Sequence, residues 1–388
     1  MFVLRLPARR RLRYDLNGAG GLANLNRLAE TTLDTLPHDQ TLAGVLARLD
    51  VDALDRVRLD AARELIRSRA LERFRLLDKF YLVALDGTGF LTFSDRHCPH
   101  CLTRKLSNGQ TQYYHPVLEA KLVCENGFVF SLATEFIENT DGAEKQACER
   151  AAFKRLVPRL RGGLPQLSMC LLLDGLFLNE PALALLRRHR FAFFISFKEG
   201  SLPTAYDEFQ RLHPLVPQQT RVTTANSVRR RYRWVNGLVH GRQTFHALEV
   251  VETAPREAPV RFFWATSFEG ARQNVETLAQ KGGRLRWKIE NEGFNTQKNG
   301  GYALEHAYSE NWNAARNFYL FLQIAHLIAQ LIEKGDLFRA RPKCLFGSLI
   351  AFAARLLEAW RTTPLDDATL DRTLAVRIQI RFGAFDTS

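Results

Sequence analysis

Two apolar runs in this chain each end in an aspartate followed by a glycine. Phe80-Tyr81-Leu82-Val83-Ala84-Leu85 leads into Asp86-Gly87, and Met169-Cys170-Leu171-Leu172-Leu173 leads into Asp174-Gly175. A third acid, Glu290, sits in Arg286-Trp287-Lys288-Ile289-Glu290. Carboxylates at the ends of buried strands suit a hard cation such as magnesium, which takes oxygen ligands and needs only one or two protein carboxylates beside a substrate phosphate. Three carboxylates in one cleft repel one another until a cation enters, and two ions about 3.5–4 Å apart can serve both the attacking and the leaving oxygen of a phosphoryl transfer. Asp86, Asp174 and Glu290 are therefore the candidate catalytic residues and magnesium ligands. Either Asp-Gly alone reads equally well as a turn.

A second constellation is His97-Cys98-Pro99-His100-Cys101. Cys-x-x-Cys places two thiolates on one zinc ion, with His115, Cys124 or a neighbouring histidine completing a tetrahedron, so Cys98, Cys101, His115 and Cys124 are the candidate ligands of a structural zinc. The competing reading is a reduced loop with incidental histidines. A third is Arg229-Arg230-Arg231-Tyr232-Arg233-Trp234. In a strand, Arg229, Arg231 and Arg233 share one face, where they can neutralise phosphates, while Arg230, Tyr232 and Trp234 share the other. An aromatic in such a segment can stack on an unpaired base, or simply pack inward.

The elements that must position these residues follow from periodicity. Residues 1–78 read as helical and charged, with Gly18-Ala19-Gly20-Gly21 as a flexible turn, a helix over 42–49 capped by Asp39 or Thr41, and another over 51–77. From Phe80 the pattern becomes that of strands buried on both faces. Strands are predicted over 80–85, 113–124 and 128–133, the last two joined at Glu125-Asn126-Gly127. A helix from Asp141 to Leu160 follows, its end distorted by Pro158, then a strand over 168–173, a helix opened by Asn179 and Pro181, and a strand over 191–197. This is an α/β layer fold with a mixed sheet flanked by helices. Residues 200–260 read as a β-rich insertion, with strands over 229–235 and 244–252. A buried strand over 261–266 and helices over 272–281, 285–297 and 311–334 come next, before a helical tail extended at 376–382.

Composition sets the outer bounds. The 388 residues carry a formal net charge of +13, which favours a polyanionic partner. No stretch reads as membrane-spanning or as a signal peptide, so no membrane partner is expected. Six cysteines in so long a chain are no disulfide scaffold, and reduced, cytoplasmic thiols are the default.

Leu85-Asp86-Gly87-Thr88-Gly89, Leu173-Asp174-Gly175 and Arg286-Trp287-Lys288-Ile289-Glu290 with Phe294-Asn295-Thr296-Gln297-Lys298-Asn299 resemble bacterial insertion-sequence transposases of the DDE class, over about Asp34 to Leu337. The resemblance implies an RNase H-like core in which Asp86, Asp174 and Glu290 hold two magnesium ions. It implies a core split into residues 79–199 and 261–337 by the insertion at 200–260. Residues 1–78 would then serve DNA binding or dimerisation, and residues 338–388 would form a C-terminal helical region. It also implies double-stranded DNA partners (element ends and target), a homodimeric synaptic complex and a place at the bacterial nucleoid. Many such enzymes carry a tyrosine, an arginine, the glutamate and a lysine along one helix. Arg286 matches the arginine, one turn before Glu290. Gly283 stands where the tyrosine is expected. Gln297 holds the lysine position seven residues after Glu290, and Lys298 follows at eight. At about 100° per residue a seven-residue step returns to the same face and an eight-residue step drifts by ~80°, unless the Gly293 region changes the phase. Arg286 and Lys298 are the candidate phosphate contacts, and the resemblance makes Trp234 a candidate to hold a flipped base. Two other functions fit the same residues: a metal-dependent nuclease without strand transfer, and a catalytically inactive nucleic-acid-binding derivative.

Overall fold

The computed structural model describes residues 1–95, 97–141, 145–337, 342–376 and 380–382. Four helices come first: α1 (Arg9–Leu16), α2 (Ala19–Ala29), α3 (Asp39–Arg48) and α4 (Val51–Arg67). Four strands follow, β1 (Tyr81–Phe93), β2 (Leu102–Lys105), β3 (Thr111–Val123) and β4 (Val129–Phe136). Then come α5 (Lys145–Gly163), β5 (Met169–Leu173), α6 (Glu180–Arg188), β6 (Ala192–Ser196) and α7 (Pro203–Leu212). Strands β7 (Thr220–Ala225), β8 (Val228–His240), β9 (Gln243–Thr253) and β10 (Val260–Thr266) lead to α8 (Val275–Gln280), α9 (Thr296–Asn299) and the long α10 (Trp312–Lys334). The tail holds α11 (Pro342–Phe346), α12 (Leu349–Thr362) and α13 (Asp367–Ala375).

Among the described residues ten strands form one mixed sheet. Its order is β3-β1-β5-β6-β10-β9-β8-β7, with β2 and β4 both pairing β3. Strands β1, β5 and β6 run parallel, and β3, β4 and β10 pair antiparallel to their neighbours. The central strands carry apolar side chains on both faces because both faces are covered: Tyr81 to Leu85 and all of β5 are buried. Each large aliphatic side chain so buried contributes about 1.5–3 kcal/mol. On one face Val83, Leu85, Leu171 and Leu173 pack with α5, α6 and α7. On the other Leu82, Ala84, Cys170 and Leu172 pack with α8 and with Leu285, Ile289 and Phe294. A third cluster joins Phe90, Val117, Trp312, Phe318 and Tyr319, so α10 lies over the far end of the β1–β3 pair.

The mixed α/β architecture expected from the sequence is present, and several local expectations are corrected. Strand β1 does not end at Asp86; Gly87 pairs Leu118 and Thr88 pairs Val117, so the Asp-Gly is mid-strand. Gly20 and Gly21 lie inside α2 rather than in a flexible turn. A Cβ at Gly20 would collide with the Arg361 carbonyl, and one at Gly21 would stand 2.7 Å from that of Leu16, so small residues let α2 seat against α12 and the end of α1. Asn24 Nδ2 donates to Trp360 O (2.8 Å) and Thr363 O (2.9 Å) across that contact. The cap of α3 is His38, whose Nδ1 accepts from Gln40 N–H at 3.2 Å, in place of Asp39 or Thr41. Helix α4 stops at Arg67, ten residues short of the predicted end. Pro158 lies inside α5, which continues to Gly163. Asn179 caps α6 as predicted, accepting from Ala182 N–H at 3.0 Å. Residues 200–260 contribute α7 as well as β7, β8 and β9, and these strands extend the main sheet through β10. Of the extended segment predicted over 376–382, positions 377–379 lie outside the described residues, as do 142–144 at the predicted start of α5.

Candidate active site

Strands β1 and β5 bring the two aspartates together by register. They pair in parallel from Tyr81–Met169 to Ala84–Leu172, so two residues further along each chain Asp86 and Asp174 stand level. Asp174 follows the last residue of β5 but keeps extended backbone (φ −72°, ψ 160°), and strand alternation carries through it. Both aspartates therefore point to the face of Leu82, Ala84, Cys170 and Leu172, the face covered by Ile289 and Phe294. Asp174 Oδ1 accepts from Leu176 N–H at 3.0 Å, and Asp86 Oδ1 from Gly87 N–H at 2.9 Å.

The third acid comes from the segment on that face. Gly283–Trp287 is a 3-10 turn and Ile289–Asn295 a π-helix, ahead of α9. Arg286 Nη1 lies 3.4 Å from Asp86 Oδ2. Glu290 is exposed and has no ion pair among the described residues, whereas Glu292 turns away to Lys288 Nζ at 3.2 Å. The Asp86 carboxyl is held above its ordinary range, chiefly by burial. The Arg286 guanidinium and the Gly87 N–H oppose that shift, and the nearby charges of Glu290 and Asp174 add to it. The structure thus brings Asp86, Asp174, Glu290 and Arg286 into one electrostatic neighbourhood.

A neighbouring acid is excluded as a ligand by its bonds. Glu119 is the cross-strand partner of Asp86 and shares its face, yet it is fully buried. It accepts from Tyr319 Oη (2.6 Å), Thr134 Oγ1 (3.0 Å) and Ser131 Oγ. Arg58, also buried, donates to the same Ser131 hydroxyl at 2.8 Å. On the opposite face, Glu149 of α5 brings its carboxylate against Gly87, where a Cβ would stand 2.6 Å from Oε1. The spacing of Glu149 in the sequence gave no sign of this.

The π-helix settles where the residues after Glu290 go. An i→i+5 turn holds about one residue more than an α-turn, so the eighth position takes the phase that the seventh has in an α-helix. Gln297 is fully buried, its Nε2 donating to Gln323 Oε1 at 2.8 Å and meeting His326 Nδ1 at 3.0 Å. Lys121, also buried, donates to the same Gln323 oxygen at 2.5 Å, and burial pushes its ammonium down to about 8. Position 297 is a core position that ties the segment to α10 and β3. Lys298 remains partly exposed and pairs with Glu305 at 3.1 Å. At Gly283 a Cβ would stand 2.5 Å from Trp264 Cε2, so the indole fills the space a tyrosine there would need.

Along β8 the predicted alternation holds, with different consequences for its residues. Arg229 and Arg231 are exposed and have no ion pair among the described residues. Arg233 is taken up by the buried carboxylate of Glu249, which also binds Arg261 at 2.6 Å. Trp234 is only 3% exposed; it packs with Leu248 and Trp264 and leaves Gly270 no room for a Cβ (2.8 Å). Of the two readings of this aromatic, the inward-packed one describes the ring here. The candidate zinc set also divides. Cys98, Cys101 and His115 converge, while Cys124 follows the far end of β3, nine residues and roughly 30 Å from His115 at ~3.3 Å per residue. Cys124 is buried beside Phe128 and Phe130 instead and is removed from the set.

No protein-family model matches the chain, and no characterised protein matches it by sequence. No described helix is long and apolar enough to cross a membrane.

Proposed function

We propose that the chain is a DDE transposase, cleaving DNA at insertion-sequence ends and joining the freed 3′-hydroxyl to target DNA. The observation that carries this reading is the level placement of Asp86 and Asp174 on adjacent parallel strands, beneath the segment bearing Glu290 and Arg286. The strand order supports the reading: in β4-β3-β1-β5-β6 the pairs β4–β3 and β3–β1 are antiparallel and the pairs β1–β5 and β5–β6 parallel, an order that suits an RNase H-like core. The net charge of +13 suits a DNA partner.

The donor set fits magnesium. All three side chains offer carboxylate oxygens, and burial together with like charge makes an ionised Asp86 unfavourable until a cation arrives. Two bound magnesium ions would polarise the scissile phosphate and stabilise charge on the attacking and leaving oxygens. The chain's own part is positional. Asp86 and Asp174 are fixed by strand register, and Glu290 is carried by a segment tied to Lys121 and α10 through Gln297. Arg286, which neutralises Asp86 here, lies where it can turn to a phosphate oxygen once a cation replaces it. Lys298 supplies a second cation on the same segment. Arg229 and Arg231 extend the basic surface outward along β8.

The test is incubation of the protein with DNA carrying element ends and magnesium, with nicks and joints mapped. Wild type is expected to nick at the ends and join them to a target plasmid, and Asp174→Ala to do neither. Nicking without joining points to a nuclease. Salt-sensitive DNA binding without nicking points to an inactive derivative. Cleavage by Asp174→Ala at the wild-type rate removes the assignment of this site.

A further inference from the structure

The segment between β1 and β2 carries two buried thiols that the proposed DNA chemistry does not use. Cys98 Sγ and Cys101 Sγ lie 3.7 Å apart, and both face the same ring nitrogen, His115 Nε2, at 3.0 and 3.2 Å. The three come from two places: Cys98 and Cys101 from a tight turn closed by Cys101 N–H to Cys98 O (3.3 Å), and His115 from β3, opposite Phe90 of β1. All three are buried, and His115 is only 1% exposed. We propose that Cys98, Cys101 and His115 bind one zinc ion, which is separate from the magnesium site and structural in role.

One edge of the cluster matches a metal site as it stands; the Sγ···Nε2 separations of 3.0 and 3.2 Å are those of thiols hydrogen-bonded to the ring, and would open to about 3.5 Å around a bound ion. A tetrahedral zinc with Zn–S of about 2.3 Å sets the S···S edge at about 3.8 Å, close to the observed 3.7 Å. A disulfide would need the sulfurs at about 2.05 Å and would leave His115 without a partner for Nε2. Two thiolates and an imidazole are soft and borderline donors, which select zinc over magnesium; the all-carboxylate set at Asp86, Asp174 and Glu290 has the opposite preference. Among the described residues no fourth cysteine, histidine or carboxylate joins the three. The surroundings are built to hold the ligands still. The His115 ring stacks on Trp312, the first residue of α10, at 4.1 Å and 19°. Trp312 Nε1 donates to Glu138 Oε1 at 2.7 Å, and the other oxygen of Glu138 meets His100 Nδ1 at 3.0 Å.

Zinc there would fasten the turn after β1 to β3 and, through the Trp312 stack, to the start of α10. His115 pairs with Phe90, four residues beyond Asp86, or about 13 Å along the strand. Loss of the ion would therefore loosen the far half of β1 without removing a group from the carboxylate cluster.

The experiment is metal analysis of the purified full-length protein, together with zinc release followed by a chromogenic chelator during titration with an organomercurial. One zinc per chain is expected, released as Cys98 and Cys101 react. Cys98→Ser and His115→Gln should each lower zinc content at least about tenfold, while Cys124→Ser keeps it. Because a variant can fail to fold, wild-type protein refolded with cobalt supplies an independent reading. It should show the intense visible bands of a tetrahedral site and a near-ultraviolet thiolate-to-cobalt band scaled to two sulfurs. Wild type without zinc or a cobalt spectrum, or a Cys98→Ser/Cys101→Ser protein that keeps its zinc, overturns the proposal.

Discussion

Replacing Asp86 by asparagine should make the metal-free protein more stable and the magnesium-loaded protein less so, in relative terms. Asp86 is held above its ordinary range by burial first, with Asp174 and Glu290 adding to the shift. An acid raised in this way contributes its full stability below the unfolded value of 3.8, and loses it as pH rises through the folded value. At neutral pH the ionised Asp86 is therefore a cost. Its size follows from geometry. Neighbouring strands lie about 4.8 Å apart, and two carboxylates at about that distance repel by roughly 1–3 kcal/mol across effective dielectric constants from water's down to about 20. The side chain is 29% exposed, which favours the lower end. The lost contact with Arg286, long at 3.4 Å and partly exposed, subtracts less than about 1 kcal/mol. Asparagine keeps the bond from Gly87 N–H. A net gain of up to about 1 kcal/mol is expected for Asp86→Asn in a chelator at pH 7.5, measured by urea unfolding, and it should vanish below about pH 3.8. With magnesium at about a hundred times its dissociation constant, wild type should gain about 2.7 kcal/mol and the variant less than about 1, so the order of stability reverses. A variant less stable than wild type in chelator, or equal stabilisation of both by magnesium, would refute the reasoning.

Lys298→Ala should lower end cleavage about 10- to 150-fold, the worth of one charge-assisted bond to phosphate (~1.5–3 kcal/mol), while stability falls by less than about 1 kcal/mol because only the exposed pair with Glu305 is lost. Gln297→Lys/Lys298→Ala should not restore cleavage, since position 297 is buried; rescue would show that the segment is α-helical in solution. Gly283→Ala should cost about 1–3 kcal/mol by driving a methyl into Trp264, and denaturant midpoints unchanged from wild type would contradict that contact. Arg229→Ala/Arg231→Ala should weaken DNA binding alike for all sequences and reduce the salt slope by about 2, and an unchanged slope would place the DNA elsewhere.

The sheet was legible because its central strands leave little choice. Tyr81 to Leu85 and Met169 to Leu173 are apolar at every position, and only a strand covered on both faces accommodates that. Where the sequence misled, a partner distant in the chain decided the outcome. Asp86-Gly87 carries the signal of a turn, yet β3 continues alongside it and holds β1 extended to Phe93. Gly18 to Gly21 carries the signal of a flexible loop, yet the Arg361 and Leu16 carbonyls come so close that glycine is what a helix there requires. Helix α7 does carry a signal, in Pro203 at its first position and in the i,i+4 pair Ala205 and Phe209, but the strand pattern that follows it outweighs that signal.

For the site, the legible part was the set of acids, and the illegible part was the phase of the segment bearing Glu290. Counting at α-helical pitch puts residue 297 beneath the same face as Glu290, and a glutamine there looks like a lost function. Two contacts show why the count fails. Gly293 lies against the side chain of the buried Lys121, where a Cβ would stand 3.3 Å from Cδ, and Gln297 is bound into the Gln323–His326 cluster. With both held in the core the segment widens into π geometry from Ile289 to Asn295, which delays the helical phase by about one residue and leaves Lys298 outside. The same tight seat at Gly283 against Trp264 leaves no room there for a larger side chain. Both differences from the transposase pattern that these residues resemble thus trace to how closely this segment is pressed onto the sheet, and Arg286 still reaches Asp86.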